Sequence, residues 1–215
     1  MVKQDVERPG AQQWVPDHGG LNDLRRAAEG CRGCELWRDA TQVVFSRGAA
    51  GAPMMLVGEQ PGDREDLSGE PFVGPAGRLL NDAVAAADLA PGDLYLTNAV
   101  KHFRFERRGK RRIHDKPDVG HISACHPWLE AEAEAVRPEV VVALGATAAR
   151  AVLGRAVKIG EMRGQALEPP PGFASPVVVT VHPSSILRVR DSADREKAFD
   201  SLVADLRTAG ELLRG

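Results

Sequence analysis

Residues 53–63 read P-M-M-L-V-G-E-Q-P-G-D, a continuous apolar run followed by a turn rich in glycine and proline. A short unbroken apolar run is typical of a strand that is buried on both faces of a parallel sheet. Three further runs of this kind lie at residues 94–97, 140–144 and 176–181, and helical patterns separate them. Strands that alternate with helices predict an α/β fold: a single three-layer αβα domain with a four-stranded, mainly parallel central sheet flanked by helices.

The N-terminal residues differ from the rest of the chain. Residues 1–20 are rich in glycine, proline and glutamine and lack hydrophobic periodicity, which predicts a mobile arm. The domain is therefore expected to span residues 21–215, without an internal repeat or a linker. Apolar residues at helical spacing predict helices over residues 21–30, 75–89, 119–136, 146–153 and 192–213.

The overall composition limits the classes of function. The chain of 215 residues is 43% apolar and 27% charged, with a formal net charge of −2, so it has no general electrostatic attraction to DNA or to a membrane. The N-terminus lacks the apolar core of a signal peptide, and no apolar run reaches the roughly 18 residues of a membrane helix. We expect a cytoplasmic, monomeric protein with reduced thiols and no membrane partner.

One segment is strongly basic. Residues 101–117, K-H-F-R-F-E-R-R-G-K-R-R-I-H-D-K-P, hold eight lysines and arginines against one glutamate and one aspartate. This excess predicts a local nucleic-acid-binding surface, although a basic run is also typical of a solvated loop. The segment contains two histidines, His102 and His114, which makes it a candidate for ligand or nucleophile chemistry as well.

The cysteines suggest a metal site. Cys31 and Cys34 form a C-x-x-C motif, and Cys125 is the third and last cysteine. In a reducing compartment this pattern indicates metal or redox chemistry, and a histidine is the natural fourth ligand. Spacing does not distinguish a zinc site with three cysteines and one histidine from an iron–sulfur cluster. The alternative is that Cys125 is a small buried apolar residue and the C-x-x-C motif is incidental.

Polar residues follow the apolar runs at the points where the predicted strands end. Ligands of parallel α/β sheets bind outside the carboxyl ends of the strands. This rule selects residues 59–63, Asn98, Gly145 and residues 182–185 as the walls of a binding pocket.

Three motifs carry a resemblance to a known family. The segment 58–80, the L-Y-L-T-N run that ends at Asn98, and H-P-S-S at 182–185 resemble the uracil-DNA glycosylase superfamily, most closely its iron–sulfur branch, family 4. The sequence departs from that branch in two places. His102 stands where the family has a cluster cysteine, and the insertion R-R-G-K-R-R-I-H at 107–114 is similar to the loop of the UdgX-type proteins, which cross-link to uracil-DNA. Gln60, where family 4 usually has alanine, indicates the same branch.

The resemblance implies a cofactor and a substrate. A 4Fe–4S cluster is expected on Cys31, Cys34, His102 and Cys125. The expected substrate is uracil-containing DNA, preferentially single-stranded, and free uracil is the expected product. The base must leave the stack to be reached, and phosphate contacts offset that cost.

The resemblance also implies a role for each site residue. Phe72 is expected to stack on uracil, and Asn98 to read its edge by donating to O4 and accepting from N3. His182 is expected to donate to uracil O2 as charge develops, helped by the backbone near Gln60. Ser184 is expected to cap the next helix or to hold a phosphate. The remaining expected contacts are Gly58 and Asp63 for the substrate, and Lys110, Arg111, Arg112 and Ser185 for DNA.

The UdgX-type resemblance implies that His114 attacks the sugar after uracil departs, leaving a covalent protein–DNA product. Glu59 is then expected to orient His114 and accept its proton. One alternative is an ordinary turnover family-4 glycosylase in which His114 only lines the pocket. Another is an iron–sulfur DNA-binding module that has lost catalysis.

Overall fold

A six-stranded sheet forms the centre of the molecule in the computed structural model, which describes residues 8–214. Its strands lie in the order β1-β3-β2-β6-β8-β7, and the four central strands are parallel in consecutive pairs. The four-stranded parallel core is therefore confirmed, and two short antiparallel edge strands extend it. The strands are β1 (Ser46–Arg47), β2 (Met54–Gly58), β3 (Leu94–Asn98), β6 (Val140–Leu144), β7 (Ala166–Leu167) and β8 (Val177–Thr180).

Helices cover both faces of the sheet. Alternate residues of each central strand point into two separate apolar layers, one shared with α1, α4 and α5 and the other with α3, α7 and α8. Every residue of the four central strands is buried, which explains why each strand appears in the sequence as an unbroken apolar run. The helices are α1 (Leu21–Glu29), α2 (Asp63–Ser68), α3 (Pro75–Ala86), α4 (Val119–Val136), α5 (Gly145–Leu153), α6 (Ile159–Met162), α7 (Pro183–Leu187) and α8 (Ser192–Glu211).

The strand order places a binding crevice. Across the sheet, the second of the four parallel strands along the chain comes first, followed by the first, the third and the fourth. The direction in which strands are added therefore reverses between β2 and β6. In open α/β sheets the ligand site lies outside the carboxyl ends of the strands at such a reversal. Glu59 follows β2 at this point, and Gly145 follows β6.

The N-terminal segment packs against the domain from Arg8 onward. The Arg8 guanidinium pairs with Glu35 and Asp118, each at 2.6 Å, and the Ala11 N–H donates to the Ala124 carbonyl at 2.8 Å. Ala11 is also buried. The part of the predicted arm that the structure describes is therefore attached to the domain and is not a free tail. Residues 1–7 of that arm lie outside the described residues.

The basic segment folds into a hairpin rather than a loop. Strands β4 (Phe105–Arg108) and β5 (Arg111–His114) pair antiparallel, with Phe105 opposite His114, and Gly109 begins the two-residue turn at a φ of 61°. Its sequence lacks the apolar alternation that would have predicted strands. The second strand of the hairpin ends at His114.

Within residues 8–214, no helix is both long enough and apolar enough to cross a lipid bilayer.

Candidate active site and cysteine site

A cavity of about 950 Å³ opens at the carboxyl ends of the central strands. All four segments that the strand-end rule selected contribute to its wall, and the hairpin adds its last residue. The walls therefore bring together residues that are far apart in the chain. The predicted site residues that line the cavity are Glu59, Gln60, Asp63, Phe72, Asn98, His114, His182, Ser184 and Ser185.

Asn98 and Phe72 meet above Gly58. Gly58 pairs with Asn98 in the β2–β3 ladder, and a Cβ placed on Gly58 would lie 2.3 Å from Asn98 Oδ1 and 2.7 Å from Phe72 Cζ. Only glycine leaves room for both side chains at this position. Asn98 is 3% exposed, and its side-chain amide forms no hydrogen bond with any described residue. An amide that lines the cavity and has no protein partner is suited to hydrogen bonding with a ligand.

The backbone of Phe72 holds its ring in this position. Phe72 has a φ of 59°, in the left-handed region that non-glycine residues rarely adopt. A Cβ on Gly77 of α3 would lie 1.8 Å from the Phe72 carbonyl oxygen, so the helix packs directly against this backbone. Such strained conformations persist where the surrounding structure determines them, and they cluster at ligand sites.

Glu59 connects the hairpin to α5. One carboxylate oxygen, Oε1, lies 3.4 Å from His114 Nε2, and the other accepts a hydrogen bond from the Thr147 hydroxyl. The His114 side chain remains 48% exposed toward the pocket. Glu59 thus has a fixed orientation and lies next to an accessible imidazole. The role of Thr147 was not predicted, because the sequence shows only a polar residue in an alanine-rich helix.

His182 is fixed in one hydrogen-bonding state. Its Nδ1 accepts a hydrogen bond from the Ser184 backbone N–H at 3.2 Å and lies 2.8 Å from the Ser184 hydroxyl. An Nδ1 that accepts a backbone N–H leaves the proton on Nε2. Burial is the main cause that lowers the pKa of His182 from 6.5 to about 4, so the ring is a neutral donor near pH 7. Ser184 and Ser185 both bond to His182, and the Ser185 hydroxyl donates to its carbonyl at 2.7 Å.

The Gln60 side chain spans the base of the hairpin. Its Nε2 donates to the carbonyls of Arg104 at 3.1 Å and Asp115 at 3.0 Å, and its Oε1 accepts the Arg104 N–H at 3.0 Å. Arg104 precedes β4 and Asp115 follows β5. These hydrogen bonds therefore hold the base of the hairpin in place, and with it the position of His114.

Arg112 is held by two aspartates, and its side chain is only 13% exposed. Its guanidinium pairs with Asp63 at 2.6 Å and with Asp66 at 2.5 Å, and Asp66 is fully buried. These pairs attach β5 to α2. The charge of Arg112 is thus already compensated, and a contact between Arg112 and DNA stays a prediction. Asp63 faces Arg112 and also lines the pocket.

Some of the other cations in residues 101–117 have acidic partners, and others do not. Arg104 pairs with Asp115 and Asp118, and Arg108 pairs with Glu106. The remaining exposed cations of the hairpin and its flank form no ion pair with any carboxylate in residues 8–214. These cations are Arg107, Lys110, Arg111 and Lys116, and Lys116 also lines the cavity.

The three cysteines lie in one buried region as free thiols. Burial raises the pKa of Cys34 to about 11 and that of Cys125 to about 12, and the neighbouring cysteines add to the increase at each. Two N–H groups donate to sulfur atoms, each at 3.3 Å: the Trp128 indole to Cys31 and the Lys101 backbone to Cys125. Donors of this kind are typical around cluster sulfur ligands.

His102, the fourth predicted ligand, is also buried. Burial, followed by the charge of Arg32, lowers the pKa of His102 to about 4, so its imidazole is neutral and able to act as a ligand. Among the described residues, however, no group of three or more histidine, cysteine, aspartate or glutamate side chains is arranged to hold a metal ion. The structure therefore does not confirm the four predicted ligands. Neutral imidazole and mutually close, N–H-bonded sulfur atoms are nevertheless donors that fit an iron–sulfur cluster.

Comparisons with known proteins place the chain in a family. Residues 45–207 match the model of the uracil DNA glycosylase superfamily. The chain is 32% identical over 197 residues to a type-4 uracil-DNA glycosylase of Archaeoglobus fulgidus, covering 89% of this chain and 92% of that protein. It is 35% identical over 173 residues to the type-4 enzyme of Thermotoga maritima, covering 80% and 85%. The type-4 enzyme of Pyrobaculum aerophilum is 32% identical over 173 residues, covering 78% and 85%.

Proposed function

Because the chain belongs to the uracil DNA glycosylase superfamily, we propose that it excises uracil from DNA and then bonds to the resulting abasic sugar through His114. The observation that carries the proposal is the convergence of Glu59, Asn98, His114 and His182 on one cavity at the strand ends. Uracil lies inside the base stack of a duplex, so the protein acts on a single strand or on a flipped nucleotide.

Base recognition uses the Asn98 amide and the Phe72 ring. The amide is buried and lacks protein partners, so it donates to uracil O4 and accepts from N3. Cytosine presents the opposite donor and acceptor at these atoms and would leave the buried amide unpaired, which is the strongest kind of discrimination that a pocket offers. The Phe72 ring, held against Gly58, stacks on the base.

Departure of uracil requires stabilisation of negative charge on the base. As the bond between C1′ and N1 breaks, both electrons leave with uracil and the sugar gains oxocarbenium character. The Nε2–H of His182 donates to O2, where this charge collects. Since the ring is neutral near pH 7, it acts as a hydrogen-bond donor without carrying a full charge.

The covalent step follows from the pairing of His114 with Glu59. One ring nitrogen faces the carboxylate at 3.4 Å, and the nitrogen on the other side of the ring bonds to C1′. The N–H proton passes to Glu59, so the alkylated imidazole becomes neutral, and the proton finally reaches uracil or solvent. Once it has lost this proton, the alkylated imidazole could leave only as an imidazolate anion, which is a poorer leaving group than the uracil anion, so the adduct persists.

A 4Fe–4S cluster on Cys31, Cys34, His102 and Cys125 is part of the proposal. Its support is the chemistry of the donors: three buried thiols near one another, two N–H donors on sulfur, and a neutral buried imidazole. When bound, the cluster supplies a rigid cross-link among the segments that carry these residues. Anaerobically purified protein should contain about four irons and four sulfides per chain; zinc without sulfide would reject the cluster.

The exposed cations provide the surface for DNA. Lys110 and Arg111 lie at the turn of the hairpin, Arg107 beside them, and Lys116 at the edge of the pocket, which places positive charge along one side of the cavity. Each phosphate contact with a single strand contributes about 0.7 to the salt dependence of binding.

The decisive experiment detects the covalent product. Protein and single-stranded DNA with one uracil are mixed, then denatured with SDS and heat, while uracil release is measured in parallel. The proposal expects stoichiometric uracil release and a protein–DNA species that His114→Ala abolishes. A surviving species in His114→Ala, or no species despite repeated uracil release, rejects the covalent step.

An ordinary turnover glycosylase is the second candidate, favoured by the names of the relatives. It would use the fixed Glu59 carboxylate to direct water at C1′, and it would release many uracils per protein molecule. The same experiment separates the two functions by the number of turnovers. Protein that releases no uracil at all would support the inactive DNA-binding module instead.

A further inference from the structure

A buried ion pair lies directly beneath the recognition residue. Lys101 and Glu132, on α4, have side chains that are 1% and 0% exposed, and Lys101 Nζ donates to Glu132 Oε2. Removing two charges from water is unfavourable, and apolar residues of similar shape often give equal or greater stability. Stability alone therefore does not explain why the pair lies here.

Lys101 contacts both the end of β3 and the cysteine site. Its Nζ also donates to the Asn98 carbonyl at 3.0 Å and to the Thr97 hydroxyl at 2.6 Å. Its backbone N–H donates to Cys125 Sγ at 3.3 Å. One residue thus joins the end of β3, where Asn98 reads the base, to the cysteine site.

Glu132 holds Lys101 from the helix side. Its Oε1 accepts hydrogen bonds from the Tyr95 hydroxyl at 2.8 Å and from the Thr97 hydroxyl at 2.9 Å. The carboxylate is thereby attached to β3 at two points before it meets the ammonium group. The position of Lys101 Nζ under Asn98 is determined by α4 and β3 together.

Asn98 depends on this support because its own amide has no partner in the described part of the chain. Its orientation is set by packing against Gly58 and Phe72 and by the backbone that Lys101 holds. A small rotation of the Asn98 peptide would move the amide away from the base edge, since misplacement of about 1 Å in a recognition group is costly.

We propose that Lys101, held by Glu132, is a positioning residue that fixes the Asn98 peptide and thereby sets the affinity for uracil. The inference rests on the proposed function, in which Asn98 reads the base. Lys101 does not touch the substrate.

The test is the double variant Lys101→Met with Glu132→Gln. Methionine retains much of the volume of lysine, and the glutamine oxygen still accepts from Tyr95 and Thr97, so both buried charges disappear together. The glutamine NH2 group can donate to the Thr97 hydroxyl oxygen, which no longer accepts from Lys101. The measurement is the Ki of free uracil in the uracil-release assay, using anaerobically purified full-length protein. A partly unfolded sample loses rate but keeps the same Ki.

We expect the Ki to rise about tenfold, the effect of one impaired buried hydrogen-bonding group. An unchanged Ki overturns the inference. Asn98→Ala shows the size of the effect when the amide is absent. Ser175→Ala, which removes a buried hydrogen bond to Pro138 near the opposite end of the sheet, should leave Ki unchanged.

If the double variant fails to fold, Glu132→Gln alone keeps Lys101 and its contact with Asn98 but weakens its anchor. A smaller increase in Ki is then expected, and no increase overturns the inference. Wild-type protein that releases no uracil overturns the proposed function and this inference together. Wild-type activity with an unchanged variant Ki overturns this inference alone.

Discussion

The Gln60 side chain donates a hydrogen bond to the Asp115 carbonyl at 3.0 Å, so the chain neighbour of Glu59 holds the chain neighbour of His114. The carboxylate and the imidazole of the proposed covalent step are therefore aligned through the residues beside them. Each of the three hydrogen bonds of Gln60 is worth about 1 kcal/mol. Together they attach the base of the hairpin to the turn after β2.

Gln60→Ala should uncouple cross-linking from base excision. Without its three hydrogen bonds the hairpin base moves relative to Glu59, while Asn98 stays at the end of β3 and His182 at the start of α7. We expect the rate of adduct formation to fall about tenfold more than the rate of uracil release. Parallel quantification of adduct on SDS gels and of free uracil checks this. An equal loss of both rates would show that Gln60 acts on excision itself.

Gly58→Ala should close the recognition pocket without unfolding the protein. The added methyl group would lie 2.3 Å from Asn98 Oδ1 and 2.7 Å from Phe72 Cζ, so both side chains must move. We expect uracil release to fall at least about a hundredfold, because the amide leaves its reading position. Gly92→Ala is the matched control, since a Cβ there meets no atom within 4 Å. Near-normal activity of Gly58→Ala would refute this account of the pocket.

Arg112 and Arg111, adjacent in β5, should have opposite phenotypes. Arg112→Gln leaves the buried Asp66 without its cation and should destabilise the fold by about 3 kcal/mol, with little change in the salt dependence of DNA binding. Arg111→Gln should leave stability unchanged and reduce the salt slope by about 0.7. Thermal melts and binding titrations at several salt concentrations distinguish the two. A reduced slope in a folded Arg112→Gln protein would restore Arg112 as a phosphate contact.

The lowered pKa of His182 predicts how the stability of the fold changes with pH. Its pKa is about 4 in the folded protein and 6.5 in the absence of the fold, so the unfolded chain binds more protons between these values. The contribution of His182 to stability is therefore complete above about pH 6.5 and is lost as pH falls toward 4. Denaturant titrations at pH 7 and pH 5 should show lower stability at pH 5, with a smaller difference in His182→Gln. If both proteins lose the same stability between pH 7 and pH 5, groups other than His182 cause the loss.

The fold could be predicted from sequence because the central strands are buried on both faces. Such strands must be apolar at every position, and the runs at 54–58 and 140–144 are therefore visible without tertiary information. The strand-end rule then selected the pocket walls correctly, since the ends of parallel strands meet at one edge of a sheet. The two edge strands were missed because each is only two residues long.

The hairpin was harder to predict. Its arginines look alike in the sequence, yet Arg112 is paired with two aspartates whereas Arg111 is exposed. The difference depends on the approach of α2, which is more than 40 residues away in the chain. Gln60 is a second example: the sequence indicates an unusual residue there, but only the path of the hairpin shows that its side chain bonds to the residue before β4 and to the residue after β5.

The sequence by itself determined the layered α/β fold, the family motifs, and the residue types that face the pocket, because these depend on local hydrophobic patterns and on strand termini. The tertiary structure alone decided which of these residues act together. Glu59 meets both His114 and Thr147, Lys101 pairs with Glu132, and Arg112 pairs with Asp66. Each of these contacts joins segments that are distant in the chain and that only the closed fold brings together.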